Sequence, residues 1–118
     1  AANATLIPAK ENIQFDDFGA MDIRVATIVA AEKVEKTKKL LKLTVNTGLD
    51  ERTVVSGIAE YYQPEEIIGQ QVSLLVNLAP REIKGIVSQG MILMAEDSQG
   101  KLTFVAPTAQ FENGSVVR

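Results

Sequence analysis

A cluster of lysines is the most distinctive chemical feature of this sequence. Residues 33–42, KVEKTKKLLK, hold five of the twelve basic residues of the chain, namely Lys33, Lys36, Lys38, Lys39 and Lys42. With Glu35 the segment has a local net charge of +4, whereas the whole chain of 118 residues carries −3. Nucleic-acid affinity depends on the local field and not on the total charge. The segment is therefore either a docking surface for a polyanion or a solvated loop that keeps an edge soluble.

A second polar segment, NLAPREIKGIVSQGM at residues 77–91, carries side chains that can pair with phosphate or with ribose 2′-OH groups. These candidates are Asn77, Arg81, Lys84, Ser88 and Gln89. Gly90 would permit close approach of a backbone. A structural interpretation stands beside this one: Asn77 as a turn residue, Ser88 as the cap of a turn, and Met91 as part of the core.

Most catalytic chemistry is excluded by the residue types that the chain lacks. There is no His and no Cys, so the usual imidazole base, thiolate nucleophiles and most transition-metal ligand sets are absent. No nucleophile elbow, phosphate-binding P-loop or HExxH motif is present. We therefore expect no catalytic residues, no metal and no cofactor, and the lack of Cys fits a reducing cytoplasm.

Length and composition predict a single globular domain. Apolar residues make up 46% of the chain and charged residues 23%, and apolar runs are only a few residues long, so no membrane span is expected. We assign residues 1–14 to a linker or tag remnant and residues 15–118 to the domain. The start AANATLIPAK lacks an initiator Met, so we expect a piece of a longer protein.

Alternating apolar residues predict strands through most of the domain. In residues 22–32 the alternation places Val29 on the same face as Val25. Residues 40–46, LLKLTVN, direct Lys42 and Asn46 away from an apolar face. The turn TGLDE then leads to an antiparallel partner at residues 52–57, where Arg52 extends the basic surface. Residues 71–78 form a further strand.

The remaining segments are predicted from turn and helix signals. Residues 15–20 fit one helical turn, and Pro64 with the following acidic residues fits the first turn of a helix that stops at Gly69. Residues 79–90 are too polar and too interrupted by glycine for a core element. Residues 91–96 are predicted as a buried strand, and DSQG as a hairpin turn before a mate at residues 101–106.

Five or more strands with one short helix among them predict an all-β, closed five-stranded barrel of the OB-fold type. That fold places a helix between its third and fourth strands. Aromatic residues are few, so the chain offers few side chains on which single-stranded bases could stack. Recognition of a folded RNA by backbone and shape suits the composition better.

Three segments carry a resemblance to a known family: DIRVATIVAAEKVEKTKKLLKLTV, RTVVSGIAEYYQPEEIIGQ and VNLAPREIKGIVSQGMILMA. They resemble the tRNA-binding domain at the C-terminus of bacterial methionyl-tRNA synthetases, which also occurs in free-standing tRNA-binding proteins and in the endothelial-monocyte-activating polypeptide. The resemblance covers roughly residues 14–118. Many relatives read P.ADKL where this chain has EKTKKL, so Glu35, Thr37 and Lys38 depart from the family pattern.

The resemblance implies an OB-fold, a homodimer and binding of tRNA by its overall shape. It also implies covalent linkage to synthetase catalytic and anticodon-binding domains, and a tRNA-facing groove that includes Ser88, Gly90 and Met91. The set that we predict to contact tRNA is Lys36, Lys38, Lys39, Lys42, Asn46, Arg52, Asn77, Arg81, Lys84, Ser88, Gln89 and Met91.

A dimer interface is predicted from apolar residues that have no obvious place inside a small barrel: Phe15, Phe18, Phe104, Val105 and Phe111. Two other functions remain open at this point. One is a chaperone-like dimer that holds unfolded peptides, for which an exposed apolar groove and weak salt dependence would be expected. The other is a purely structural dimerisation domain whose lysines bind nothing.

Overall fold

The computed structural model describes residues 6–118, so residues 1–5 of the predicted linker lie outside it. Residues 6–14 belong to no helix or strand. The elements are α1 (Phe15–Gly19), β1 (Ile23–Lys33), β2 (Leu41–Asn46), β3 (Glu51–Ser56), α2 (Pro64–Ile67), β4 (Gln71–Leu75), β5 (Arg81–Ile83), β6 (Ile86–Ser88), β7 (Met91–Ile92), β8 (Met94–Glu96), β9 (Leu102–Phe104) and β10 (Val116–Val117). Within the described residues, both helices are too short to cross a membrane.

One curled antiparallel sheet forms the centre of the domain, with the strand order β3-β2-β1-β4-β7. The long strand β1 pairs with β4 through its first half and with β2 through its second half. β10 pairs with the beginning of β1, whereas β5–β6 and β8–β9 are separate hairpins. The all-β class and the helix between β3 and β4 are confirmed, in an arrangement consistent with an OB-like fold.

The predicted closure of the barrel is not found among residues 6–118, where the ladders end at β3 on one side and at β7 on the other. The chain between β6 and β7 crosses this opening without forming a strand pair. Gln89 N donates a backbone hydrogen bond to Thr53 O at 2.8 Å, and Ser88, at the end of β6, bonds to β3 through its side chain. The sheet is therefore an open half-barrel.

The core lies inside the curl, where apolar side chains of the central strands meet those of α2. The alternation in β2 is confirmed, since Leu41, Leu43 and Val45 are fully buried. Ile67 of α2 joins the same cluster. The backbone N–H of Gln63 donates to the Glu66 carboxylate at 2.6 Å, which fixes the start of α2.

The predicted face of β1 is wrong beyond Ile28. The pairing of β1 with β2 shifts between Ile28 and Ala30, which is the mark of a β-bulge. Because a bulge inserts one extra residue, the alternation changes phase there. Val29 is the extra residue of this bulge and is 39% exposed, whereas Ile28 before it is fully buried.

One later segment holds a hairpin that was not predicted, and another differs from prediction. Residues 79–90 contain the β5–β6 hairpin, which turns at Lys84 and Gly85 with Ile83 paired to Ile86. The expected buried strand at 91–96 is divided into β7 and β8, and of its first two residues only Ile92 is buried. The turn at residues 97–100 and its mate β9 are confirmed.

Side chains fasten the C-terminal segment to the sheet. Gln71 is 6% exposed, and its amide accepts from Phe111 N at 2.9 Å and donates to Phe111 O at 2.7 Å. The Ser73 hydroxyl donates to Val105 O at 2.8 Å. Held by these bonds, residues 105–114 run across β4 and lead to β10, which pairs with β1.

Candidate nucleic-acid interface

Residues 34–40, here called the lysine loop, join β1 to β2 in a defined conformation. Val34 is buried and anchors the loop. Val34 O accepts bonds from the Thr37 backbone N–H at 3.2 Å and from the Thr37 hydroxyl at 2.8 Å. Ala59 N donates to Lys39 O at 2.9 Å, which ties the loop to the segment after β3. Lys36, Lys38 and Lys39 thus project from an ordered scaffold, and all three are exposed.

Residues 81–88, the polar hairpin, comprise β5 and β6 and pack against β3. Their two-residue turn places the exposed Lys84 at the tip, with φ 51° at Lys84 and 80° at Gly85. Two successive positive φ angles are typical of a type I′ turn, which matches the twist of a hairpin.

The lysine loop and the polar hairpin meet at one surface depression, here called the lysine hollow. Its lining residues are Glu32, Lys33, Val34, Glu35, Lys42, Lys84 and Ile86. Lys42 Nζ lies 3.5 Å from a carboxylate oxygen of Glu32, so part of its charge is already paired. The six lysines of the hollow and the loop exceed these two glutamates by four charges. In OB-folds this region, between the loop after the first strand and the loop after the fourth, is the oligonucleotide surface.

Arg52 and Asn46 lie on the strands beside the lysine hollow, and both already have partners. The Arg52 guanidinium bonds both carboxylate oxygens of Asp50, at 3.0 and 3.1 Å, and donates to Val76 O at 2.8 Å. The Asn46 side chain accepts from Gly48 N at 2.9 Å in the β2–β3 turn. The hydrogen bonds from Arg52, followed by one from the Thr47 hydroxyl, hold the pKa of Asp50 below its usual value.

Asn77 fastens the start of β1 to the end of β4. Its Oδ1 accepts from Asp22 N at 2.9 Å, and its Nδ2 donates to Ala20 O at 2.7 Å. Both polar atoms of the side chain are therefore used within the chain. This geometry matches the structural interpretation of Asn77.

A second depression, the side groove, runs between β3, the polar hairpin and β7. It is lined by Val55, Ser56, Gly57, Leu78, Arg81, Ile83, Ser88, Gly90, Met91 and Ile92. Met91 is 47% exposed, so it lies at the surface and not in the core. Arg81 and Gln89 are exposed near the same edge. Gly90 has φ 135°, and an added Cβ would lie 2.9 Å from Leu75 O, which leaves room for glycine alone.

Ser88 lies at the floor of the side groove. It is 3% exposed, and its hydroxyl oxygen accepts from Val55 N at 2.9 Å. Next to it, the Gln89 side chain accepts from Thr53 N at 3.4 Å. Ser88 connects β3 to the end of β6, and Gln89 connects β3 to the residue that follows, across the opening of the sheet.

The residues predicted for a dimer interface fall into two groups. Phe15, Phe18, Val105 and Phe111 are between 36% and 83% exposed. Phe104 packs within the chain instead, with its ring centroid 4.9 Å from that of Tyr62. The Tyr62 hydroxyl donates to Leu102 O at 3.0 Å, so this tyrosine holds the β8–β9 hairpin against the core.

Two residues of this surface were missing from the predicted contact set: Lys33, which lines the lysine hollow, and Thr37 of the lysine loop. Lys33 was part of the lysine cluster. It is the last residue of β1, however, and nothing separate in the sequence indicated that it would line the hollow. Thr37 departs from the family pattern and proves to be the residue that closes the loop. Its signal was a hydroxyl three residues after Val34, the spacing of a β-turn.

Comparison with known proteins identifies the family of the domain. Residues 23–116 match the family described as "Putative tRNA binding domain". A methionine–tRNA ligase of Cytophaga hutchinsonii is 74% identical over 116 residues, which is 98% of this chain and 17% of that protein. The chain thus spans about one sixth of the length of this relative.

Two solved structures are similar over most of the domain. A MetRS-related protein from Pyrococcus horikoshii has a TM-score of 0.87 and 38% identity, covering 92% of this chain and all of the other. The chaperone CsaA of Bacillus anthracis has a TM-score of 0.83 and 27% identity over similar shares. The family match includes both the lysine loop and the polar hairpin, and this chain belongs to the tRNA-binding domain family.

Proposed function

We propose that the chain binds folded tRNA without catalysing a reaction, as the tRNA-binding part of a methionyl-tRNA synthetase. The observation that carries this proposal is the meeting of the lysine loop and the polar hairpin at the lysine hollow. The curated relative of which the chain covers 17% supports the assignment to a synthetase. Catalysis and anticodon recognition would belong to covalently linked domains, in the cytoplasm, where aminoacylation supplies the ribosome.

The proposed contacts are electrostatic and directed to the RNA backbone. Lys36, Lys38, Lys39, Lys42 and Lys84 would neutralise phosphates, with Arg81, Gln89 and Met91 contributing along the side groove. We assign the remaining predicted contacts, Asn46, Arg52, Asn77 and Ser88, to holding these segments in place, because each of these side chains already makes a hydrogen bond within the chain. Contacts to phosphates position a protein without reading sequence, so recognition by shape is expected.

The test is fluorescence anisotropy with total tRNA at two salt concentrations. Lys38→Glu/Lys39→Glu/Lys42→Glu should weaken binding at least about tenfold and reduce its salt dependence, since each phosphate contact contributes about 0.9 to the salt slope on a duplex. The matched control is Lys10→Glu/Lys101→Glu/Arg118→Glu, which changes the net charge equally outside the lysine hollow. Equal losses in both variants, or salt-insensitive binding by the unmodified protein, would reject the proposed surface.

A homodimer is the second part of the proposal, with Phe15, Phe18, Val105 and Phe111 at or near its interface. Their exposure in one protomer supports it, because four large apolar side chains are left in water. Phe104 would support the interface residues from inside the protomer. Two basic surfaces in one dimer would strengthen binding through effective concentration.

Peptide holding is the competing function, favoured by the likeness to a chaperone structure and by the apolar part of the side groove. It differs from tRNA binding in its salt response, since apolar contacts are not screened. A denatured polypeptide that competes fully with tRNA and binds equally at both salt concentrations would favour this function.

A further inference from the structure

The backbone carries a feature that tRNA binding in general does not require. Within residues 6–118, only two residues other than glycine have a positive φ angle: Lys36 at 63° and Lys84 at 51°. Side chains of L-residues crowd the backbone in this left-handed region, which glycine and asparagine enter most easily. Just twelve of the 118 residues are basic, yet both of these are lysines.

Each lysine occupies a turn position where another residue type is normally preferred. Lys36 is the third residue of the turn 34–37, which is closed by the Thr37 N–H bond to Val34 O. A positive φ at that position selects glycine or asparagine. Lys84 is the first central residue of the β5–β6 turn, where Asn-Gly is the favoured pair and Lys-Gly is found.

The two lysines lie on the two segments that meet at the lysine hollow. Lys84 lines the lysine hollow, and Lys36 directly follows Glu35, which lines it from the lysine loop. Both side chains are exposed, so burial does not account for either one. Strained backbone positions cluster at ligand-binding sites, so two of them on the segments that form one hollow motivate a role in binding.

We propose that Lys36 and Lys84 are a preset pair of phosphate contacts, retained at turn positions where glycine would make the fold more stable. The pair would reach one stretch of RNA backbone from the two sides of the lysine hollow. This inference rests on the proposed tRNA binding. It assigns a specific role to two of the lysines and a stability cost to that role.

The experiment compares thermal unfolding and tRNA anisotropy for Lys36→Gly/Lys84→Gly with the unmodified protein. We expect the melting temperature to rise by about 2–5 °C, because glycine relieves the strain at both turns. We expect tRNA binding to weaken several-fold, with the salt slope reduced by about 1 to 2 for two lost phosphate contacts. Lys36→Arg/Lys84→Arg keeps both charges and should keep the affinity.

The control Lys10→Gly/Lys101→Gly removes the same charge elsewhere and should neither raise the melting temperature nor weaken binding. Unchanged affinity of Lys36→Gly/Lys84→Gly would overturn the inference, and so would a lower melting temperature of that variant. In both cases salt-sensitive binding by the unmodified protein would leave the proposed function intact. If the unmodified protein does not bind tRNA, the proposed function fails and this inference fails with it.

Discussion

At the scale of single residues, Ser88 shows how the side chain of a predicted contact residue can be engaged by a bond within the chain. The resemblance to the family placed it in a tRNA-facing groove, and the side groove does include it. Its hydroxyl is nevertheless occupied by Val55 N, beneath a surface formed by more exposed neighbours. The resemblance predicted a role for Ser88, but the direction of its hydroxyl depends on β3, more than thirty residues away.

Ser88→Ala is expected to destabilise the fold, because it leaves the N–H group of the buried Val55 without a partner. An unpaired buried donor costs about 1–3 kcal/mol of unfolding free energy. Urea denaturation would measure the loss, and Ser98→Ala in the exposed β8–β9 turn is the matched control. Equal stability of Ser88→Ala and the unmodified protein would show that water replaces the hydroxyl.

At the scale of elements, the apolar alternation in the sequence predicted a strand correctly where pairing with neighbouring strands leaves that alternation unchanged. β2 follows its pattern because both of its edges are paired along its whole length, with β1 and β3. β1 departs from its pattern at Ile28, since the bulge arises from the register against β2 and has no local signal. The polar hairpin was not predicted, because Lys84 occupies a turn position at which Asn or Gly usually indicates the turn.

The β2–β3 turn contains the clearest pH-dependent contact. The folded pKa of Asp50 is lowered, chiefly by hydrogen bonds from Arg52, so the contact adds stability above the unfolded value of 3.8 and loses it as pH falls through the folded pKa. Asp50→Asn should therefore lower the melting temperature at neutral pH, and the difference should shrink in acid below pH 3.8.

Thermal unfolding across this pH range measures the effect of Asp50→Asn. Asp16→Asn, at an exposed position of α1, is the control. Its melting temperature should differ little from that of the unmodified protein at every pH. A constant gap between Asp50→Asn and the unmodified protein would mean that the carboxylate charge does not contribute to the turn.

At the scale of the whole molecule, charge and apolar surface are distributed unevenly. A chain with net charge −3 presents an excess of four positive charges around the lysine hollow, while large apolar side chains remain exposed elsewhere. The lysine cluster was visible in the sequence because it is contiguous. The proximity of Lys84 to this cluster was not visible, because Lys42 and Lys84 line the same hollow but are more than forty residues apart in the sequence.

The proposed homodimer predicts that Phe15→Ser/Phe111→Ser becomes monomeric, because apolar burial drives such association. Sedimentation equilibrium of the two proteins measures the change. Leu49→Ser/Ile68→Ser removes two side chains of comparable exposure outside the proposed interface and should leave the dimer intact. A monomeric unmodified protein, or equal dissociation of both variants, would contradict the assignment.

The pairing of β10 with the beginning of β1 places Val117 opposite Ile23, so the polypeptide enters and leaves the sheet at neighbouring positions. Strands paired in this way lie about 5 Å apart. A fold with adjacent entry and exit points tolerates circular permutation, because a short peptide can join them while the chain is opened at an exposed turn such as residues 97–100. For the same reason, the domain can be inserted into a surface loop of a host protein without pulling the ends of that loop apart.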